Sequence, residues 1–163
     1  MIRGERELYI ERPPGAVFDY LADLRNLPDW NRRAARVELL AAGPIAAGSR
    51  FRSRHRYAGW LETEIISHHR PERLLLLARG RRLDLLVELL FAPRAAGTAL
   101  RIRLEVRPHR QWRLLAPLIL PRFRYENRRL LAELKRALET RAGAEAPPLT
   151  RRTRTADQRG GSQ

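Results

Sequence analysis

The sequence predicts a single α+β domain: one strand, two short helices, an antiparallel meander of six further strands and a long C-terminal helix. Three observations carry this expectation. Leu8 and Ile10 alternate with Glu7, Tyr9 and Glu11, and Pro13-Pro14 follow, so a half-buried strand gives way to a helix start. Between Arg33 and Arg107, short runs of alternating apolar and charged residues are separated by Gly and Pro, as in antiparallel strands. From Arg110 to Arg141 the spacing becomes helical, with Leu130, Leu134 and Leu138 on one face.

Each element has its own signal. Proline suits a first helical turn because its missing N–H has no partner there anyway, and Val17, Phe18, Leu21 and Leu24 then share one face. Asn26-Leu-Pro-Asp-Trp30 places a proline just inside an N-cap and starts a second short helix. The meander strands are expected over 36–41, 50–57, 61–67, 74–79, 83–91 and 98–107. Gly43-Pro-Ile-Ala-Ala-Gly48, Ala58-Gly-Trp60, Pro71-Glu-Arg73 and Pro93-Arg-Ala-Ala-Gly97 are the breaks between them. Pro108 ends the sheet, and Pro117 and Pro121 interrupt the first half of the last helix.

The opening order of strand, Pro-Pro, short helix and Leu24-x-x-Leu27-x-x-Trp30 resembles the START-like, helix-grip superfamily, also called SRPBCC or polyketide cyclase/dehydrase-like. The resemblance runs, more loosely, from about Glu5 to Glu139. It implies a curved antiparallel seven-stranded sheet wrapped around the C-terminal helix, with a ligand cavity between them. It says almost nothing about the ligand. Some relatives are aromatase/cyclases, but no spacing here singles out their cavity residues, so no catalytic residue is carried over.

Composition bounds the function. The 163 residues suffice for one domain, which at this size buries about 70% of its unfolded surface. We expect residues 1–142 to form the domain. Residues 143–163, Arg-rich and without apolar periodicity, form a disordered tail in this reading. Leu114–Leu120 is the best candidate for a bilayer span, but it is too short and contains Pro117. No secretory h-region is visible, so a cytoplasmic location is expected. Without cysteine, disulfides, thiolate nucleophiles and Cys-based metal sites are excluded.

The net charge of +15 and the pI of about 11.6 invite a nucleic-acid or anionic-membrane partner. A compositional cause competes, because Lys135 is the sole lysine and Arg, Leu and Ala dominate everywhere, as in proteins of GC-rich genomes.

Function turns on which sheet face points inward, because a one-residue slip exchanges the faces. A three-residue loop, Ala58 to Trp60, sets Arg56 opposite Glu62 and Arg54 opposite Glu64, two favourable outer pairs. Phe51, Ser53, His55, Tyr57 and Thr63 then face inward with Leu61 and Ile65. A two-residue loop, Ala58-Gly59, would instead turn Glu62 and Glu64 toward His55, at the cost of φ > 0 at Ala58. The first register is preferred.

Under it, Leu85, Val87, Leu89, Phe91, Leu100, Ile102 and Leu104 line the sheet side of the ligand site. Leu118, Ile119 and Phe123 contribute from the helix, and Phe18, Leu21, Leu24 and Trp30 form a lid and end-wall. Ser53, His55 and Tyr57 orient the ligand, since polar groups in apolar pockets mostly set orientation.

Other constellations carry less. His68 and His69 are adjacent on a strand and point to opposite faces, so they cannot share an ion, and no metal or cofactor is expected. His109 is expected at the surface, and Trp30, Trp60 and Trp112 sit at element ends where an indole suits a half-wet rim. The outer arginine rows offer a surface to anionic lipid, but they lack the interleaved aromatics of a nucleic-acid platform. Three functions follow: binding or transport of a hydrophobic small molecule such as a lipid or polyketide-like compound, cyclase/dehydratase catalysis on such a molecule, or a basic module that docks on membrane or RNA.

Overall fold

A computed structural model of the chain describes residues 1–109 and 129–140. Seven strands form one antiparallel sheet: β1 (Ile2–Ile10), β2 (Ala34–Leu39), β3 (Arg50–His55), β4 (Gly59–His69), β5 (Arg73–Gly80), β6 (Leu83–Arg94) and β7 (Gly97–Pro108). Their spatial order is β1-β7-β6-β5-β4-β3-β2, so the first strand closes the meander against its last member. Helix α1 (Pro14–Ala22), a 3-10 turn (Leu24–Asn26) and α2 (Leu27–Trp30) connect β1 to β2. Residues 129–140 are helical and form α3. This is the helix-grip α+β fold. Among the described residues no helix is long and apolar enough to cross a membrane. The expectations for Arg110 to Arg128, with Trp112, Leu118, Ile119 and Phe123, and for the tail at 143–163 lie outside the described residues.

The core occupies one face of the sheet. Ile10, Val17, Phe18, Phe51, Ile65, Leu74, Leu100, Leu134 and Leu138 pack in it. Leu134 and Leu138 are almost fully buried, which bears out the helical spacing read for the last helix. Helix α1 begins on Pro14 as expected and buries Val17, Phe18, Tyr20, Leu21 and Ala22. It is tied to the β4–β5 turn, where the Arg70 guanidinium donates to both carboxylate oxygens of Asp19 at 2.7 and 2.8 Å. That donation holds the Asp19 carboxyl below its usual range.

Several boundaries differ from expectation. Strand β1 begins at Ile2, well before Glu7. Its polar first half is held by charge: Glu5 lies opposite Arg103 and Glu7 opposite Arg101, with carboxylate–guanidinium distances of 3.1 and 3.4 Å. Pro93 and Arg94 belong to β6, and Ala95-Ala96 alone make the turn to β7. Ala95 adopts φ = 49° in that tight turn, a region costly for a residue with a Cβ. Ala95→Gly therefore raises unfolding stability by about 0.5–1 kcal/mol, after the glycine's own entropy is set against the relief. Urea titration with an unchanged m-value checks this. Gly97 must stay glycine, because a Cβ there would overlap the Ile10 carbonyl.

The β3–β4 hairpin corrects the expected register. The observed pairs are Arg50↔Glu64, Arg52↔Glu62, Ser53↔Leu61 and His55↔Gly59, so Arg56–Glu62 and Arg54–Glu64 do not face each other. The cause is Gly59, which takes φ = +78° and can do so because it has no Cβ. With Gly59 opening β4, the turn falls on Arg56-Tyr57-Ala58. The displacement is even, so the faces survive: Phe51, Ser53, His55, Leu61, Thr63 and Ile65 still share the core side. Tyr57 does not. It lies in the turn and is 46% exposed.

Candidate functional site: the inner face of the sheet

The inner face is built by cross-strand rows. One row runs Phe51, Thr63, Ala78, Leu85 and Val106 across β3 to β7. The next runs Leu76, Val87 and Leu104, and the one beyond it Leu74, Leu89 and Ile102. The expected ligand wall is thus contiguous on β6 and β7, and it divides in two. Leu89, Phe91 and Leu100 are buried with Phe18, Leu134 and Leu138, so they close the end beneath α1. Leu85, Val87, Ile102 and Leu104 are only half-buried, which leaves apolar surface toward the β3–β4 hairpin end.

The lid residues divide likewise. Phe18, Leu21 and Leu24 are packed in the core, and the Phe18 ring meets His68 edge-on at 4.9 Å and Phe91 at 5.2 Å. These three side chains belong to the packed core beneath α1. Trp30 is half-buried against the same core.

The polar part of the face is small. Ser53 Oγ and His55 Nε2 lie 3.0 Å apart and form a hydrogen bond. Ser53 and Thr63 are buried, and His55 is partly so. Burial, and then the nearby Arg33 charge, push the His55 imidazole below its ordinary 6.5. At neutral pH the ring is therefore uncharged, an acceptor and donor suited to a neutral polar group. The pH consequence follows by sign. The unfolded chain takes up a proton at His55 before the folded one does, so stability falls as pH drops below about 6.5 toward the folded value. Above that range His55 contributes nothing to the slope. His55→Gln flattens this part of the profile, and urea unfolding at stepped pH reads the difference. Asp19 and Asp23, held below 3.8 by Arg70 and Arg25, act at lower pH and do not confuse it.

Two residues on this face were not anticipated. A bulge in β4 between Ile65 and Ser67 re-phases the strand and turns His68 inward onto Phe18. His69 then points outward to Ser67, at 2.7 Å, so the two histidines do lie on opposite faces. The early start of β1 puts Arg6 opposite Ile102 on the inner side, at the sheet edge. Among the described residues no group of three His, Asp or Glu side chains could hold a metal. His109 is exposed, with Nε2 3.2 Å from Asp84.

The outer face is a lattice of opposite charges. Glu88 receives Arg73 at 2.8 Å and Arg103 at 3.2 Å; burial raises its carboxyl, but these guanidiniums outweigh that and leave it below 4.5. Arg3 and Arg107 flank Glu105, and Arg50 meets Glu62 at 3.2 Å. The β7 arginines Arg101, Arg103 and Arg107, with Arg50 of β3, are therefore met by carboxylates, whereas among the described residues no carboxylate meets Arg54 or Arg56.

The model of a family described as polyketide cyclase / dehydrase and lipid transport matches residues 1–139. No curated protein matches the chain. Among solved structures, a protein from Thermus thermophilus superposes with a TM-score of 0.67 at 20% identity, covering 89% of this chain and 100% of that one. A START superfamily protein from Mycobacterium smegmatis gives 0.65 at 15% identity, covering 87% and 97%. A Chromobacterium violaceum protein gives 0.61 at 18% identity, covering 84% and 96%. At these identities the likeness is one of fold.

Proposed function

Because the chain belongs to the polyketide cyclase/dehydrase and lipid transport family, we propose that it binds, and carries, an elongated hydrophobic molecule with one neutral polar end. The observation that supports this most is the split of the inner face. Half-buried Leu85, Val87, Ile102 and Leu104 offer an apolar wall, and the Ser53–His55 pair offers a single uncharged polar anchor. Three strand spacings separate β3 from β6, roughly 14 Å, a span that suits an acyl or polyketide-like chain laid across the strands.

The test is displacement of a fluorescent fatty-acid analogue, with solvent extraction and mass spectrometry of the purified chain. Val87→Trp, which fills the wall, weakens probe binding at least tenfold; Val87 also packs against the core, so overpacking costs about 1–3 kcal/mol, a midpoint fall of roughly 2–12 °C that leaves the chain folded for the assay. Probe binding unaffected by Val87→Trp would reject the site.

A second reading, cyclase/dehydratase chemistry, draws on the same pair. A neutral imidazole hydrogen-bonded to a hydroxyl can accept a proton from a bound substrate. It predicts that His55→Ala abolishes turnover of a polyketide-like substrate while leaving its binding intact. If the substitution weakens binding alone, the residue is an anchor.

A further inference from the structure

The two ends of the sheet differ in charge. At the end beneath α1, Asp19, Asp23 and Glu7 neutralise Arg70, Arg25 and Arg94. At the opposite end three tips converge. The Arg82 guanidinium donates to the Tyr57 carbonyl at 2.6 Å and so joins the β5–β6 turn to the β3–β4 turn. The His109 amide donates to the Arg82 carbonyl at 3.0 Å and adds the end of β7.

Arg54, Arg56 and Arg81 are exposed there, and no carboxylate meets them among the described residues. Asp84, the carboxylate of the β5–β6 turn region, is engaged by His109. Two large aromatics stand out among these cations. Tyr57 is 46% and Trp60 is 42% exposed, Arg52 covers the Trp60 ring at 4.8 Å, and Arg54 lies directly opposite Trp60.

We propose that this hairpin end docks on an anionic phospholipid bilayer. Cations without carboxylate partners match its surface potential, and Tyr and Trp, amphipathic rings at the tip, suit the headgroup layer. An RNA strand fits less well, because stacking needs open ring faces and Arg52 already covers Trp60. The inference stands apart from the ligand reading, so failure of either leaves the other intact.

The experiment is flotation of the full chain with phosphatidylcholine vesicles, with and without phosphatidylglycerol, at low and high salt. The expected result is binding only to the anionic vesicles, weakened by salt. The triple variant Arg54→Gln/Arg56→Gln/Arg81→Gln lowers that binding by roughly tenfold or more. The control pair Arg101→Gln/Arg103→Gln removes charges already held by Glu5, Glu7 and Glu88 and changes it much less. Attraction from the arginines of 143–163 is common to all variants and cancels in the comparison. Brominated lipids quench tryptophan emission, and Trp60→Phe removes most of that quenching. Equal losses in the triple variant and the control, equal binding to neutral vesicles, quenching that survives Trp60→Phe, or a single-stranded RNA that outcompetes the vesicles would each overturn the proposal. Circular dichroism confirms that the variants fold.

Discussion

Phe18→Ala lowers the unfolding free energy by about 3–5 kcal/mol, the range for removing a fully buried aromatic ring. The ring has no exposed surface. It is fixed from two sides, edge-on to His68 of β4 and tilted against Phe91 of β6. Val17 and Leu21 hold α1 in place on the same core, and the Asp19–Arg70 fork limits how far the helix can settle into a void. A site that cannot collapse keeps its cavity, which places the cost toward the upper end of the range. For a domain worth about 5–15 kcal/mol in total, such a loss brings unfolding close to working temperature. Urea denaturation measures it, and Phe18→Leu, which keeps most of the volume, recovers more than half. A loss below about 1 kcal/mol would mean that α1 is not packed on the core as described above.

The fold and the inner face were legible in this chain for one physical reason: strand parity survives errors of position. Leu100, Ile102 and Leu104 alternate with Arg101 and Arg103, and that period assigns the face wherever β7 begins or ends. The same holds for Phe51, Ser53 and His55, whose face was unchanged although their partners on β4 moved. The ends of elements were not legible, because they depend on single backbone torsions. Gly59 could have occupied any place in the turn, and only its φ of +78° fixes where β4 starts and removes Tyr57 from the strand.

Features with no local pattern were also hidden. The bulge after Ile65 adds one residue without any change in composition, yet it decides that His68 rather than Ser67 packs on Phe18. Strand β1 from Ile2 to Arg6 looks polar in isolation, and its pairing depends on Arg101 and Arg103, nearly a hundred residues later.

Arg12→Ala destabilises the chain by about 1.5–3 kcal/mol, the range for a hydrogen bond to a charged group left half-made. Arg12 is a charged residue with only 8% exposure, and its guanidinium donates to the Leu138 carbonyl at 3.3 Å. That carbonyl belongs to α3, so the contact fastens this helical segment to the end of β1. Two further contacts join the same places: Lys135 Nζ donates to the Tyr9 carbonyl at 2.9 Å, and the Glu11 amide donates to Glu139 at 3.2 Å. The Arg12 carbonyl in turn accepts from Thr98 Oγ1 at 2.6 Å, so one residue ties the end of β1, the start of β7 and α3.

Because these contacts gather on Lys135, Leu138 and Glu139, the loss should appear first as faster amide exchange at 134–140 and then as a midpoint lower by about 3–12 °C. Arg12→Lys keeps the charge without the fork and restores only part of it. An Arg12→Ala variant with unchanged exchange at 134–140 would show that packing of Leu134 and Leu138 alone holds α3 against the sheet. With the latch intact, α3 keeps its place over the inner face, and the proposed apolar wall of Val87, Ile102 and Leu104 keeps its shape.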